Sequence, residues 1–177
     1  MKKFALIAIV ILTLSLAAFG QKPAAKPVAA KTPAAKPDPA KGVREAFDRL
    51  VDGIQTRDVA KVMSVYNHSE NILVFNNHGS VTRGWEQMKQ NRESSYAKTS
   101  NVNLETTGVR IEMLGSNSAY LTCKWRQMQD YNGKPEAASG RMTIVFQLIN
   151  KEWKAVHLHT SPDAPDMARP VLPSERQ

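Results

Sequence analysis

The chain has 177 residues, 42% of them hydrophobic, a formal charge of +8 and a single cysteine. Residues 1–41 contribute +6 of that charge, and residues 42–177 hold 17 Lys and Arg against 15 Asp and Glu; this near balance argues against a dedicated nucleic-acid-binding face. The stretch from residue 42 onward is long enough for one compact core and too short for two, and with one cysteine it folds without an internal disulfide.

Lys2 and Lys3 precede an apolar run, Phe4–Phe19, interrupted only by Thr13 and Ser15. The run is shorter than the ~20 residues a spanning helix needs. Ala18 and Gly20 place small residues where a signal peptidase reads them. Residues 1–20 are therefore expected to be a cleaved signal peptide, with the protein periplasmic or secreted; an uncleaved membrane anchor is the alternative. Residues 21–41 come next as a Lys/Pro/Ala-rich tether. Without aromatic residues it cannot bury enough surface to fold, and its five prolines favour an extended spacer of up to about 60 Å. Its lysines offer weak contact with anionic envelope polymers or lipid.

The domain is expected over residues 42–162. Val43–Arg57 carries Val43, Ala46, Phe47, Leu50, Val51 and Ile54 at helical spacing. Asp58 is a natural N-cap for a second short helix through Tyr66. Ile72–Phe75 and Ser80–Arg83 read as strands around the turn residues Asn76-Asn77-His78-Gly79. Gly84-Trp85 opens a third helix through about Tyr96. Four strand-like runs complete the domain: Val102–Leu114 with a bulge at Gly108, Ala119–Gln129, Arg141–Ile149, and Glu152–Ser161 after the turn Asn150-Lys151. Residues 163–177 are expected to be an irregular tail. The sum is an α+β fold, a curved antiparallel sheet wrapped around about three N-terminal helices.

The run Trp153-Lys-Ala-Val156-His157-Leu-His159-Thr-Ser161 resembles the last strand of the association domain of calcium/calmodulin-dependent protein kinase II, which reads W-x-x-V-H-x-H-x-S. Ile111–Gly115, Gln127–Asp130 and Gly84-Trp85 fit the same pattern. Over about residues 43–165 the chain is similar to the SnoaL-like branch of the nuclear transport factor 2-like superfamily. That resemblance implies a cone-shaped domain, a homodimer and a small-molecule pocket. Thr160 stands where the association domain has Arg. Enzymes of the superfamily use an inward Asp or a His–Asp pair as base; near the first hairpin this chain offers Asn76 and Asn77, with Glu112 and Asp130 on later strands.

His157, His159 and Ser161 alternate, so strand geometry predicts one shared face for them, together with Trp153 and Ala155. Two imidazoles on one face suit acid–base chemistry, two metal ligands awaiting a third from His68 or His78, or a hydrogen-bonded pair shaping a pocket or subunit contact. Arg126 and Lys124 take the parity opposite to Cys123 and Trp125, and an Arg facing the cavity would grip an acidic ligand. Trp85, Tyr66 and Tyr120 are candidate cavity-lining aromatics. Cys123 reads as a small buried hydrophobe.

The expected ligand-binding set is therefore His157, His159, Ser161, Arg126, Trp85 and Tyr66, with His157 and His159 as candidate catalytic residues. No metal and no cofactor are expected, and no nucleic-acid partner. Three functions compete: an exported binding module for a small organic ligand; a cyclase, isomerase or dehydratase using a last-strand His as acid or base; and an oligomerisation domain.

Overall fold

The computed structural model describes residues 38–163; the expected signal peptide, the tether up to residue 37 and the tail from residue 164 lie outside them. Helix α1 (Pro39–Gln55) begins inside the Lys/Pro/Ala stretch, earlier than periodicity predicts. Asp38 caps it, its Oδ1 accepting from the Ala40 N–H at 2.9 Å, and Pro39 occupies the first turn, where its missing N–H costs nothing. The apolar stripe Val43, Ala46, Phe47, Leu50 and Ile54 is buried throughout. Asp58 caps α2 (Val59–Val65) as expected, accepting from the Lys61 N–H at 2.8 Å.

Strands β1 (Leu73–Phe75) and β2 (Val81–Arg83) form the short hairpin, with Gly79 at φ +87° in its turn. Helix α3 (Trp85–Tyr96) starts at Gly84, whose φ of +79° calls for glycine. Four long strands complete the chain's sheet: β3 (Thr99–Met113), β4 (Ser118–Tyr131), β5 (Lys134–Ile149) and β6 (Glu152–Pro162). The first residues of β5 lack apolar alternation, so the sequence places its start at Arg141. The two-residue turn Asn132-Gly133, with φ of +50° and +75°, pairs them with β4 all the same. Asp130 is thus a strand residue and not part of the turn.

The sheet runs β2-β1-β6-β5-β4-β3. Four pairings are antiparallel, as expected; β1 joins β6 in parallel, so the sheet is mixed. It curves around the helices without closing. Bulges supply the bend: one between Thr107 and Arg110 at the expected Gly108, and an unexpected one between Ser100 and Asn103. The inner face carries Ala119, Leu121, Cys123 and Trp125 of β4 against Met142, Ile144 and Phe146 of β5. These pack on Val43, Phe47, Leu50, Val62 and Val65 of the helices. Each large side chain so buried contributes about 1.5–3 kcal/mol. Gly42 lets α1 lie on β6, because a Cβ there would come within 2.5 Å of the Trp153 ring.

Candidate functional site

The placement of the histidines turns on one residue of β6. Phe146 pairs with Ala155, and its neighbour Val145 pairs with His157, so Val156 is an extra residue in the ladder. A bulge restarts the two-residue count of a strand. Trp153 and Ala155 are buried before it and Leu158 after it, while His157 is half-buried and His159 exposed. The expected common face for Trp153, Ala155 and the two histidines is therefore wrong: the tryptophan and alanine face the helices, and the histidines face away. The apolar residues of β6 switch from odd to even positions between Ala155 and Leu158, a signal present in the sequence that simple alternation overlooks.

On this outer, helix-free face the two imidazoles flank Phe75 of β1. Leu73 is in register with His157 and Phe75 with His159. Both imidazoles meet the Phe75 ring edge-on, with centroids 5.6 Å apart in each case and interplanar angles of 79° and 77°. Val145 and Thr143 of β5 lie beside them, in register with His157 and His159. Tyr120, expected among the cavity aromatics, also faces outward, opposite Val145. Arg126 takes the expected parity and lies exposed on the same outer face, as do Lys124 and Arg141, which stand directly opposite each other. Ser161 comes next, in register with Arg141.

Trp85 and Tyr66 lie on the helix side. The Trp85 Nε1–H donates to the Met63 carbonyl at 3.3 Å, and its ring stacks on His68 at 4.1 Å. Tyr66, at the end of α2, is 2% exposed. Its hydroxyl and that of Tyr96 are buried; the Tyr66 hydroxyl has no hydrogen-bond partner among the described residues, whereas the Arg92 guanidinium lies within reach of that of Tyr96. Burial raises the pKa of both phenols, and the nearby Arg92 charge works against that rise. The Arg92 guanidinium carbon sits 5.9 Å from the centre of the Tyr96 ring. The expected set of six thus separates into His157, His159, Ser161 and Arg126 outside and Trp85 and Tyr66 inside, with the sheet between.

Sequence reasoning missed Arg92 and Tyr96, although they sit four residues apart on α3, because that helix reads as almost wholly polar. It also missed the pairing of His68 with Glu86, whose Nε2 and Oε1 are 3.2 Å apart on the exposed surface. A surface pocket of about 420 Å³ opens there, with Glu70, Arg83 and Trp85 in its wall.

The acid–base inventory is correspondingly thin. His157 and His159 hydrogen-bond to no carboxylate among the described residues. Glu112 pairs with Arg110 at 3.2 Å, Asp130 accepts from Asn101 at 2.6 Å, and the Asn76 amide donates to Ser80 and Thr82. His78 bonds to Ser80 in the hairpin turn. Among the described residues, no three His, Cys, Asp or Glu side chains gather as a metal set. Cys123 is buried, and burial pushes its thiol up to about 11, which makes it a packing residue at neutral pH.

Solved structures share this architecture. A nuclear transport factor 2 superfamily protein from Salmonella enterica is 23% identical with a TM-score of 0.66, over 73% of this chain and 94% of its own. The association domain of C. elegans CaMKII is 17% identical with a TM-score of 0.56, over 69% of this chain and 94% of its own. A ketosteroid isomerase-like protein from Erwinia carotovora is 10% identical with a TM-score of 0.62, over 73% and 100%. No curated protein matches the chain. The SnoaL-like domain profile matches residues 43–166, most of the chain and all of its sheet, and the chain belongs to the SnoaL-like domain family.

Proposed function

We propose that this chain is an exported association domain that pairs with a second copy of itself through the outer face of its sheet. The observation that carries the reading is the bulge at Val156, which turns His157 and His159 outward beside Phe75. Phe75 is 37% exposed and its register partner Val81 45% exposed, two of the large hydrophobics that remain uncovered. With Val145 and Tyr120 they make an aromatic and aliphatic patch on a helix-free sheet, the kind of surface that marks a protein contact. A two-fold pairing would set this patch against itself. A structural relative named as an association domain supports the same reading.

Light scattering on the full chain tests it. The expected result is a dimer or larger closed assembly, reduced to monomer by Phe75→Glu with the thermal midpoint nearly unchanged. A wild-type chain that stays monomeric at concentrations around 100 μM, far above the micromolar constants of weak interfaces of ordinary size, sinks the reading.

A second reading rests on the buried phenols. Tyr66 offers a hydroxyl donor unspent among the described residues, close to Tyr96 and the Arg92 guanidinium, an arrangement that suits a small organic ligand with acceptor oxygens. A thermal-shift screen of small metabolites checks this: a shift that Tyr66→Phe abolishes supports it, and a flat response counts against it. We assign no reaction, because the two histidines have no carboxylate partner among the described residues and face away from those phenols. Export itself is read from residues 1–20, and N-terminal sequencing of the purified protein should begin at Gln21.

A further inference from the structure

We propose that assembly through the outer face is proton-gated: the face accepts a second copy while His157 and His159 are neutral and releases it when they are protonated. This rests on the self-association reading and names how that contact is controlled.

The charge around the two imidazoles is lopsided. From β1 they face Leu73 and Phe75, and from β5 Val145 and Thr143; none carries a charge. Farther along the same two outward rows come the titratable phenol of Tyr120 on β4 and the Arg110–Glu112 pair on β3, while Arg83 on β2 lies in the wall of the surface pocket with Glu70 and Glu86. The next outward row sets Arg141 against Lys124, like charges directly opposite on neighbouring strands, an arrangement that costs stability. Neither forms an ion pair with a described residue. Beyond them, Arg126 is balanced in register by Glu105. These rows therefore hold three cations, Arg110, Lys124 and Arg141, against the carboxylate Glu112, a balance of +2 among the described residues.

Protonating both imidazoles raises that balance to +4 with no carboxylate hydrogen-bonded to either ring among the described residues. Pairing doubles the charge and removes water from it, so the contact selects the neutral rings. Linkage sets the sign: separate copies bind protons more readily than paired ones. Assembly is favoured toward the alkaline end and is lost as the pH falls. The edge-on contacts of both rings with Phe75 place the titrating groups at the centre of the patch and not at its rim.

Sedimentation velocity on the full chain, from about pH 8 to about pH 5.5 at constant ionic strength, reads the gate. The expected result is a dissociation constant that rises by about tenfold or more across the range, with unchanged far-UV dichroism. Added salt at the acid end should restore assembly by screening. The double variant His157→Gln/His159→Gln should assemble with little pH dependence, and each single variant should show about half the response on a logarithmic scale. A constant that does not move with pH in an assembled wild type overturns the gate while leaving self-association standing. So does a double variant with the full wild-type response, or acid dissociation that salt fails to reverse. A chain that is monomeric at about pH 8 overturns both.

Discussion

The inner and outer faces of the sheet are built by alternate residues of the same strands and obey different rules. On the inner face Ala119, Leu121, Ile144, Phe146 and Ala155 are fully buried, and shape and volume decide what fits. On the outer face the intervening residues run from half-buried Tyr120, Thr143 and Val145 to exposed Lys124, Arg141 and His159. Among the described residues no helix covers them. The contrast places stability on one side of a single layer and, under the proposed self-association, recognition on the other, with the bulge at Val156 deciding which side the end of β6 joins.

Adding a residue at that bulge should have the largest effect. Inserting one alanine after Val156 shifts the two-residue count once more, so Leu158 would turn outward and the histidines inward without partners. The expected loss is more than about 4 kcal/mol, enough to leave the chain largely unfolded, measured by urea denaturation. Stability within about 1 kcal/mol of wild type would show that the bulge does not hold the two faces apart.

The neighbours Val145 and Phe146 sharpen the contrast next. Phe146→Ala should cost about 3–5 kcal/mol, because it empties a fully enclosed site. Val145→Ala should cost under about 1 kcal/mol within a copy and register instead as weaker assembly. Comparable losses of stability from both would mean that the outer face is structural after all.

Tyr66→Phe should shift stability by less than about 1 kcal/mol in the ligand-free protein, since the hydroxyl it removes has no partner to lose. A loss beyond about 2 kcal/mol would reveal a hydrogen bond that the folded chain depends on. The smallest effect concerns Cys123. With its thiol pushed up to about 11, only about one molecule in a thousand carries the thiolate at pH 8, so a thiol-reactive dye should label the native protein far more slowly than the urea-unfolded chain. Equal rates would place Cys123 outside the inner face.

Much of the fold was legible because its signals are local. The stripe of α1, the Asp58 cap, the Gly84 entry to α3 and the Asn150-Lys151 turn each reside in a few consecutive residues. Asn150 and Lys151 take φ of +50° and +68°, as a tight two-residue hairpin turn demands. The early start of β5 was not legible, because residues such as Ala137 and Ala138 carry no alternation and are held in the sheet by their partners Met128 and Gln127. Nor was the parallel seam between β1 and β6, which joins segments about 80 residues apart and has no trace in either strand's composition.

The candidate site divided in the same way. His157, His159, Ser161 and Arg126 were identifiable as chemistry-bearing strand residues, and Arg126 could be placed opposite in parity to Cys123 and Trp125. Tyr66 was visible as an aromatic worth noting, but not its proximity to Tyr96 and Arg92 on another helix. By itself, then, the amino-acid sequence determined which segments are helix or strand, where most of them stop, and that the domain is α+β, because periodicity and capping act over a few residues. Only the tertiary structure decided which way the histidines of β6 look and what Tyr66 lies beside. A bulge exists only relative to the strand it pairs with, and a buried hydroxyl lacks a partner only once every neighbour is in place.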